Sequence, residues 1–371
     1  MNRRRFLVLG AVSTGIVAVG GVARLQRSAI AQTLSVPTVD HLVLTCVVDN
    51  IYDVFARAGK LDTITVQRTP LLRQAPLFAE HGLAYHLEST RGAERREILL
   101  DFALTDRNLF NNYQALKVDP TRADALILSH GHSDHYGALP ALARDMKGKF
   151  KPGTTVYAGG EDTFCHRVVV TPSGATLDGG TLDRAGLEAQ GLTIALVKQP
   201  TVVAGHAFTS GQIARITDFE KPPAAARLEA GPMGSACAAS LHFPPGALQV
   251  EPKPGELVPD NFQGEHATAY NVRDRGLVVI TSCGHAGVIN SVRQVQKATG
   301  IQKVHAIVGG FHLAPAPDEI VAKTVAEFKA IDPDYIIPMH CTGLNTIFAT
   351  QREMPKKLVM PSTGTRVVFG A

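Results

Sequence analysis

The chain has 371 residues, of which 45% are hydrophobic and 19% charged, an ordinary balance for a globular protein with a large core. Its formal charge is +4, but the only charged residues among the first 31 are five arginines, and removing them leaves −1 for the rest of the chain. Aromatic residues are few and tryptophan is absent. The composition therefore excludes an electrostatic or base-stacking case for nucleic-acid binding, and an electrostatic case for binding an anionic membrane.

The N-terminus has the features of an export signal. Residues 3–7 (RRRFL) fit the twin-arginine pattern, a mildly apolar stretch runs to Ala23, and Arg24 and Arg27 follow it. Residues 29–31 (AIA) form a small-residue cleavage site. We predict a signal peptide over 1–31, recognised by the twin-arginine translocation machinery. The mature protein is then periplasmic or secreted, without stable membrane association. An uncleaved membrane anchor is the alternative.

The cysteines disfavour two kinds of structural site. They are widely spaced and contain no CxxC pair, so neither a structural zinc knuckle nor a disulfide framework is expected. One long-range disulfide remains open. The five cysteines are Cys46, Cys165, Cys237, Cys283 and Cys341.

The predicted elements alternate between strands and helices without strict βαβ order, which favours a layered α/β sandwich in one domain over residues 38–371. A Pro- and Gly-rich loop, Pro244–Phe262, is expected over one edge. In chain order the predicted strands are His41–Asp49, Glu97–Asp101, Ala123–Ser129, Thr193–Val197, Gly276–Thr281, Val304–Val308 and Tyr335–Pro338. The predicted helices are Gly137–Met146, Gly287–Thr299 and Ala316–Ile331.

A metal-ligand pattern occupies the loop between the third predicted strand and the first predicted helix. Residues 130–135 read HGHSDH. In a tight loop His130 and His132 point one way and Asp134 and His135 the other, which gives two half-sites. Imidazole suits zinc, iron or manganese, and two ions roughly 3.5–4 Å apart can share an activated water. A histidine-rich surface loop is the alternative, disfavoured because four potential ligands follow an apolar strand directly.

The stretch Leu128–Leu139 (LSHGHSDHYGAL) resembles the second motif of the metallo-β-lactamase superfamily. Similarity to one branch, the 7,8-dihydropterin-6-yl-methyl-4-(β-D-ribofuranosyl)aminobenzene 5′-phosphate synthase-like metal-dependent hydrolases, extends from about residue 40 to about residue 345. The segments that carry it are 49–50 (DN), 80–83 (EHGL), 281–287 (TSCGHAG), 309–313 (GGFHL) and 338–343 (PMHCTG). The resemblance implies a four-layer αββα sandwich.

The resemblance and the positions of two further histidines complete the half-sites. His285 and His340 each follow the end of a predicted strand. His285 is expected to join His130 and His132, and His340 to join Asp134 and His135; the alternative for both is a structural role. The superfamily's bridging carboxylate is missing from its strand end, and Cys283 stands nearby. Either a Cys283 thiolate or solvent takes that place, and we favour solvent.

Three further residues receive roles. The resemblance makes Asp101 a buried carboxylate that orients the histidine loop. His312, after two glycines that would let the backbone approach a ligand, is predicted to contact substrate or donate a proton, with simple burial as the alternative. Arg215 is a candidate for binding an anionic group of the substrate.

Two segments depart from the branch where substrate specificity is expected. Residues 211–215 read GQIAR where the branch has GEIPR, so a carboxylate is lost, and residues 264–268 read GEHAT. His266 in the second segment has no settled role. The remaining histidines are predicted to be structural or at the surface: His166, His206, His242 and His305.

The sequence predicts an exported hydrolase with two divalent metal ions, zinc being favoured over iron or manganese. An activated water, oriented by Asp134, would attack an ester, phosphodiester or amide of a small molecule. Export argues against the literal synthase reaction, whose substrate is cytoplasmic. The alternatives are a transferase of that synthase type and a metal-binding protein without catalysis.

Overall fold

The computed structural model describes residues 33–70, 74–233, 235–238 and 252–370. The predicted signal peptide, His242 and the first part of the predicted loop 244–262 lie outside these residues. No helix of the described part of the chain is long and apolar enough to cross a membrane.

The described residues form three β-sheets. Their strands are β1 Thr38–Val39, β2 His41–Val48, β3 Gly59–Leu61, β4 Ile64–Arg68, β5 Ala84–Arg91, β6 Glu94–Leu100, β7 Ala125–Leu128, β8 Thr155–Ala158, β9 Arg167–Val170, β10 Thr176–Gly180, β11 Thr193–Leu196, β12 Thr201–Val203, β13 Ala207–Thr209, β14 Ala226–Glu229, β15 Leu257–Pro259, β16 Thr268–Val272, β17 Gly276–Thr281, β18 Val304–Gly309, β19 Tyr335–Pro338 and β20 Thr365–Phe369.

Helices cover the outer faces of the two large sheets. They are α1 Asp106–Leu116, α2 Ser133–Tyr136, α3 Leu139–Asp145, α4 Arg184–Ala189, α5 Val288–Thr299, α6 Asp318–Ile331 and α7 Leu344–Glu353. Short 3₁₀ turns occur at Pro120–Arg122, Glu161–Phe164 and His340–Thr342.

Each large sheet is parallel in one part and antiparallel in the other. The nine-stranded sheet has the order β11-β8-β7-β6-β5-β2-β20-β4-β3 and is parallel from β11 to β6. The seven-stranded sheet has the order β12-β13-β16-β17-β18-β19, with β1 beside β16, and is parallel from β17 to β19. The third sheet, β10-β9-β14-β15, is antiparallel throughout.

Alternating side chains build the layers. In β17, Val278 and Ile280 pack into a core shared by both large sheets, while Val279 packs outward against α5 and α6. In β7, Ile127 faces the shared core and Leu128 packs toward α1 and α3. Strands buried on both faces need continuous apolar runs, which is why these segments contain few polar residues. The predicted four-layer αββα sandwich is confirmed.

The predicted strands and helices all appear, with ends shifted by a few residues. The prediction missed other elements, among them β5 and β20, which flank β2, the β3–β4 hairpin, the parallel strand β8, and helices α1 and α7. Cys165 and Cys237, 72 residues apart, form the long-range disulfide that the sequence left open.

Candidate metal centre

The candidate site lies where parallel strands of both large sheets end. The run 130–135 follows β7, and Asp101 follows β6. From the other sheet, His285 follows β17, His312 follows β18 and His340 follows β19. The carboxyl ends of parallel strands meet at one edge of a sheet, which brings distant segments of the chain together there.

His130, His132 and His285 form a first cluster. A ligand nitrogen of each lies within 4.8 Å of the others. Their ring centroids are 4.7 Å apart for His130 and His132, 4.9 Å for His130 and His285, and 4.6 Å for His132 and His285. The structure thus brings together the three residues predicted for the first half-site.

Asp134 is the centre of a second cluster. Its Oδ2 lies 3.2 Å from Nε2 of His340 and 3.7 Å from Nε2 of His135. His81, which had no predicted role, also points here, with Nε2 3.5 Å from the same oxygen. Leu83 donates its N–H to the Asp134 carbonyl, 3.1 Å away, and this contact brings the His81 segment to the site. Its only sequence signal was the EHGL segment.

Several buried nitrogens of these clusters have no hydrogen-bond partner. Unpaired buried polar atoms are rare because they forfeit hydration, so a convergent group of them points to a missing cation. The atoms are Nε2 of His130, His135, His285 and His340, and Nδ1 of His285. The donor set, imidazoles with one carboxylate, fits a divalent transition metal such as zinc, iron or manganese.

Burial also selects the protonation state that binds metals. It holds the pKa values of His130 and His285 well below their usual range and lowers the pKa of His132 to about 4. These imidazoles are neutral near pH 7, as metal ligands must be.

Asp101 orients one histidine of each cluster. Its Oδ2 accepts a hydrogen bond from Nδ1 of His135 at 2.7 Å, which leaves Nε2 free to face the site. The same oxygen accepts the Ser129 hydroxyl at 2.8 Å, and that hydroxyl lies 2.9 Å from Nδ1 of His130. The orienting role inferred for Asp101 thus has a direct contact, to His135, and an indirect one, through Ser129.

Two neighbouring residues orient His340 in the same way. Oδ1 of Asn50 lies 3.0 Å from Nδ1 of His340, and Asp49 accepts the His340 N–H at 2.8 Å. The second contact holds His340 at φ 49°, a left-handed conformation uncommon for a non-glycine residue. The Asp49-Asn50 pair therefore fixes the position and ring orientation of His340.

Buried carboxylates hold the His285 loop, and sequence reasoning missed them. Glu265 accepts the backbone N–H groups of His285, at 2.9 Å, and Ala286. Glu220 accepts the N–H groups of Ile289 and Asn290 in the first turn of α5, at 2.8 and 2.9 Å. Glu265 of the departing GEHAT segment thus lies behind His285 and binds the backbone of its loop.

Arg215 and His266, which lie in the two segments that depart from the branch, both contact other protein groups. Nη2 of Arg215 donates to the carbonyls of His285 and Asn261, both at 3.2 Å, while its buried Nε has no hydrogen-bond partner among the described residues. His266 is buried, with Nε2 3.1 Å from the Leu128 carbonyl at the end of β7, and it stands behind the histidine run.

Cys283 lies between the clusters, and Cys341 stands beside it. The Cys283 sulfur and one ring nitrogen each of His130 and His135 all lie within 4.8 Å of one another. His130 belongs to the first cluster and His135 to the second. The two sulfur atoms are 3.1 Å apart. Burial raises the pKa of Cys283 well above its usual range. Burial acts the same way on Cys341, but the hydrogen bond with Cys283 and the electrostatic interaction with His340 hold the pKa of Cys341 well below its usual range.

His312 lies beside the first cluster. Its ring centroid is 4.1 Å from that of His285, and its Nδ1 is 3.6 Å from the Cys283 sulfur. Phe262, from the end of the predicted loop, stacks on the other side of His285 at 4.1 Å. His312 is half-buried and lines an adjoining cavity, so it can reach a bound molecule.

The glycines before His312 serve backbone packing, not approach to a ligand. A Cβ at Gly309 would meet the Thr281 carbonyl oxygen at 1.8 Å, and φ there is 117°. A Cβ at Gly310 would meet the Ser282 carbonyl oxygen at 2.5 Å. Gly309 and Gly310 therefore let the ends of β17 and β18 lie close together, which corrects the expectation drawn from sequence.

The remaining histidines of the described residues lie outside the clusters. His166 lies between Glu229 and Asp178, at 2.6 and 3.0 Å. Nδ1 of His206 is 2.9 Å from the Ser89 hydroxyl. Nδ1 of His305 is 2.8 Å from Asp334.

Comparison with known proteins agrees with this geometry. The sequence profile described as Metallo-beta-lactamase superfamily matches residues 90–147, which include the HGHSDH run. A solved metal-dependent hydrolase of the beta-lactamase superfamily superposes with a TM-score of 0.61 at 19% identity, over 88% of this chain and 98% of that one. Residues 90–147 therefore match the metallo-β-lactamase superfamily, and the fold resembles that of this solved structure.

Two relatives come from Methanocaldococcus jannaschii. The 7,8-dihydropterin-6-methyl-4-(beta-D-ribofuranosyl)-aminobenzene-5'-phosphate synthase is 28% identical over 297 residues, which cover 77% of this chain and 90% of the relative. An uncharacterized protein of the same organism is 37% identical over 70 residues, 19% of this chain and 26% of the relative. The superfamily fold supports metal-dependent hydrolase chemistry in general terms, although the synthase is the relative that covers most of the chain.

Proposed function

We propose that this protein is a metal-dependent hydrolase that binds two divalent ions and cleaves an ester, phosphodiester or amide of a small molecule. The observation that carries the proposal is the set of buried imidazole nitrogens without hydrogen-bond partners in two adjacent clusters, whose histidines come from both large sheets. A surface histidine loop would expose these atoms to water, and an inert core would pair them with protein groups.

Each of the two clusters would hold one metal ion. His130, His132 and His285 would hold one ion, and His135 and His340 the other with Asp134. His81 stands next to Asp134 as a further candidate ligand. Bound ions would supply an activated water and stabilise negative charge on the reacting group.

Two side chains face the reacting molecule. Asp134 carries its charge at the centre of the second cluster, where it would orient the attacking water. His312 lies at the open side of the first cluster, close enough to His285 to contact a substrate and donate a proton to the leaving group.

The test joins metal content to activity. Metal-replete protein is assayed on a panel of esters, phosphodiesters and amides, beside His132→Ala and the control His166→Ala. We expect about two equivalents of metal and turnover in the wild type and the control, and loss of metal and turnover in His132→Ala. Less than one equivalent in the wild type would favour a different, non-hydrolytic role.

A transferase of the pterin-ribosyl synthase type is the second candidate. It is favoured by the 28% identity to the synthase over most of the chain. Turnover of that enzyme's substrates, with none on the hydrolytic panel, would reverse the order of the two proposals.

Export by the twin-arginine route to the periplasm or beyond is proposed with the function. The Cys165–Cys237 disulfide supports it, since such bonds persist mainly in oxidising compartments. A protein carried in the folded state could receive its metal before export. Mass spectrometry of the mature protein should find a start at Gln32, and a start at Met1 would contradict cleavage.

A further inference from the structure

A cavity of about 300 Å³ opens beside the first cluster and shares His285 and His312 with it. This side pocket runs from the His285 loop to the first turn of α6. Its wall is mainly apolar, formed by Phe219, Phe311, Leu313, Pro317 and Ile320. Pockets of this size with apolar walls and few polar groups are typical of small-molecule binding sites.

Apart from His285 and His312, two charged side chains line the side pocket, one with hydrogen-bond partners and one without. Glu220 lines it, but its carboxylate is held by the N–H groups of α5 and by the Thr217 hydroxyl at 3.1 Å. Lys221 is exposed and also lines it, and it has no ion-pair or hydrogen-bond partner among the described residues. Away from the His285–His312 edge, the pocket therefore offers one cation and no free buried acceptor.

The volume of the side pocket indicates what size of molecule it can hold. A 150 Å³ apolar cavity can hold benzene. The side pocket, at about 300 Å³, has room for about two such groups. It is too small for a folded partner, and it joins the candidate centre directly through His285 and His312.

We propose that the side pocket binds the non-reacting, apolar part of the substrate: a two-ring system or an acyl chain of similar volume, with an anionic substituent at the outer end beside Lys221. This inference rests on the proposed hydrolase function. The scissile bond would lie at the His285–His312 edge, and the apolar group would extend toward Ile320.

The experiment uses the metal-replete protein and nitrophenyl esters of increasing acyl length, from acetate to octanoate, with an ω-carboxylated octanoate as the anionic member. We expect kcat/KM to rise by up to about fourfold per buried methylene until the pocket is filled. Ile320→Trp should fill the pocket and abolish this rise, so that octanoate is hydrolysed no faster than acetate. Leu344→Trp, at an exposed site 60% accessible on α7, is the matched control.

The ω-carboxylated ester tests the proposed role of Lys221 in binding an anionic substituent. The carboxylated ester should lose about tenfold in kcat/KM in Lys221→Glu, while the neutral octanoate should not change. Hydrolysis that is independent of chain length, and unaffected by Ile320→Trp, would overturn the pocket proposal and leave the hydrolase proposal standing.

A binding measurement tests the side pocket even if the proposed hydrolase function is wrong. The probe is 8-anilinonaphthalene-1-sulfonate, an aromatic anion of suitable size, with circular dichroism verifying that each variant is folded. Binding to the wild type and Leu344→Trp, but not to Ile320→Trp, supports the pocket even if no ester is hydrolysed. Equal binding to all three overturns it.

Discussion

Replacing Asp101 with asparagine would change the atom that faces His135. The carboxylate accepts the Nδ1 proton of His135 at 2.7 Å, and an amide nitrogen in its place would donate toward the same atom. His135 would then carry its proton on Nε2, the nitrogen turned toward Asp134 and the site. The Ser129 contact that extends to His130 would be weakened as well.

The expected magnitude follows from this contact. A hydrogen bond to a charged group contributes about 1.5–3 kcal/mol. Loss of such a contact behind a metal ligand usually lowers metal affinity about 10- to 100-fold. The two figures agree, because each factor of ten corresponds to about 1.4 kcal/mol.

The assay is a competition titration of metal between the protein and a chelator at fixed pH. Asp101→Asn should bind metal 10- to 100-fold more weakly, and excess metal should restore part of its activity. Glu97→Gln is the control, since Glu97 is a buried carboxylate of β6 paired with His86 and Arg122 away from the site. Wild-type metal affinity in a folded Asp101→Asn protein would refute the orienting role.

Three further predictions concern the same loop and its surroundings. Gly131→Ala would place a Cβ 2.2 Å from the Thr163 carbonyl oxygen, so unfolding in urea should show a loss of about 1–3 kcal/mol; an unchanged midpoint would contradict this close contact. Burial opposes protonation of His135, but Asp134 and Asp101 raise its pKa to about 9 in the metal-free protein. Metal uptake at pH 7.5 should therefore release this proton and tighten as pH rises toward 9, and calorimetry in buffers of different ionisation enthalpy should detect the release. Cys283→Ala should retain two metal equivalents, because its sulfur already contacts the Cys341 sulfur at 3.1 Å; cobalt-loaded wild type should then lack sulfur-to-cobalt absorption, and its presence would make Cys283 a ligand.

Most strands of the parallel parts of the sheets, with β8 as an exception, could be predicted because they are short apolar runs that local sequence reveals. GLVVIT and YIIP are apolar runs with a histidine shortly after each, and strand ends of this kind meet at one edge. That reasoning brought His285 and His340 to the HGHSDH run before any contact was known.

The antiparallel parts depend on pairings that local pattern does not encode. β20 pairs with β2, so Phe369 lies opposite Leu42 across more than 300 positions of the chain. β5 (AYHLESTR) has apolar residues only in its first half and ends in a polar run, which weakened its signal. Tertiary pairing, not propensity, determines these strands.

The supporting residues of the site escaped prediction for a related reason. Glu265 and Glu220 act on backbone N–H groups 20 to 70 positions away, and no spacing rule links a carboxylate to such partners. In the sequence, Glu265 appeared only within a segment that departs from the branch, and Glu220 had no signal. His81 was quoted as part of a motif, but its role depends on a backbone contact to Asp134.

Each cluster takes side chains from both large sheets: the run after β7 belongs to one, and His285 and His340 to the other. An ion in either cluster would fasten the two halves of the sandwich to each other, so its binding energy would count toward folding. At free metal 100 times above the dissociation constant, that fastening adds about 2.7 kcal/mol to the free energy of unfolding. The melting temperature would then rise with the concentration of free metal. A shortage of metal would make the protein more susceptible to proteolysis as well as inactive.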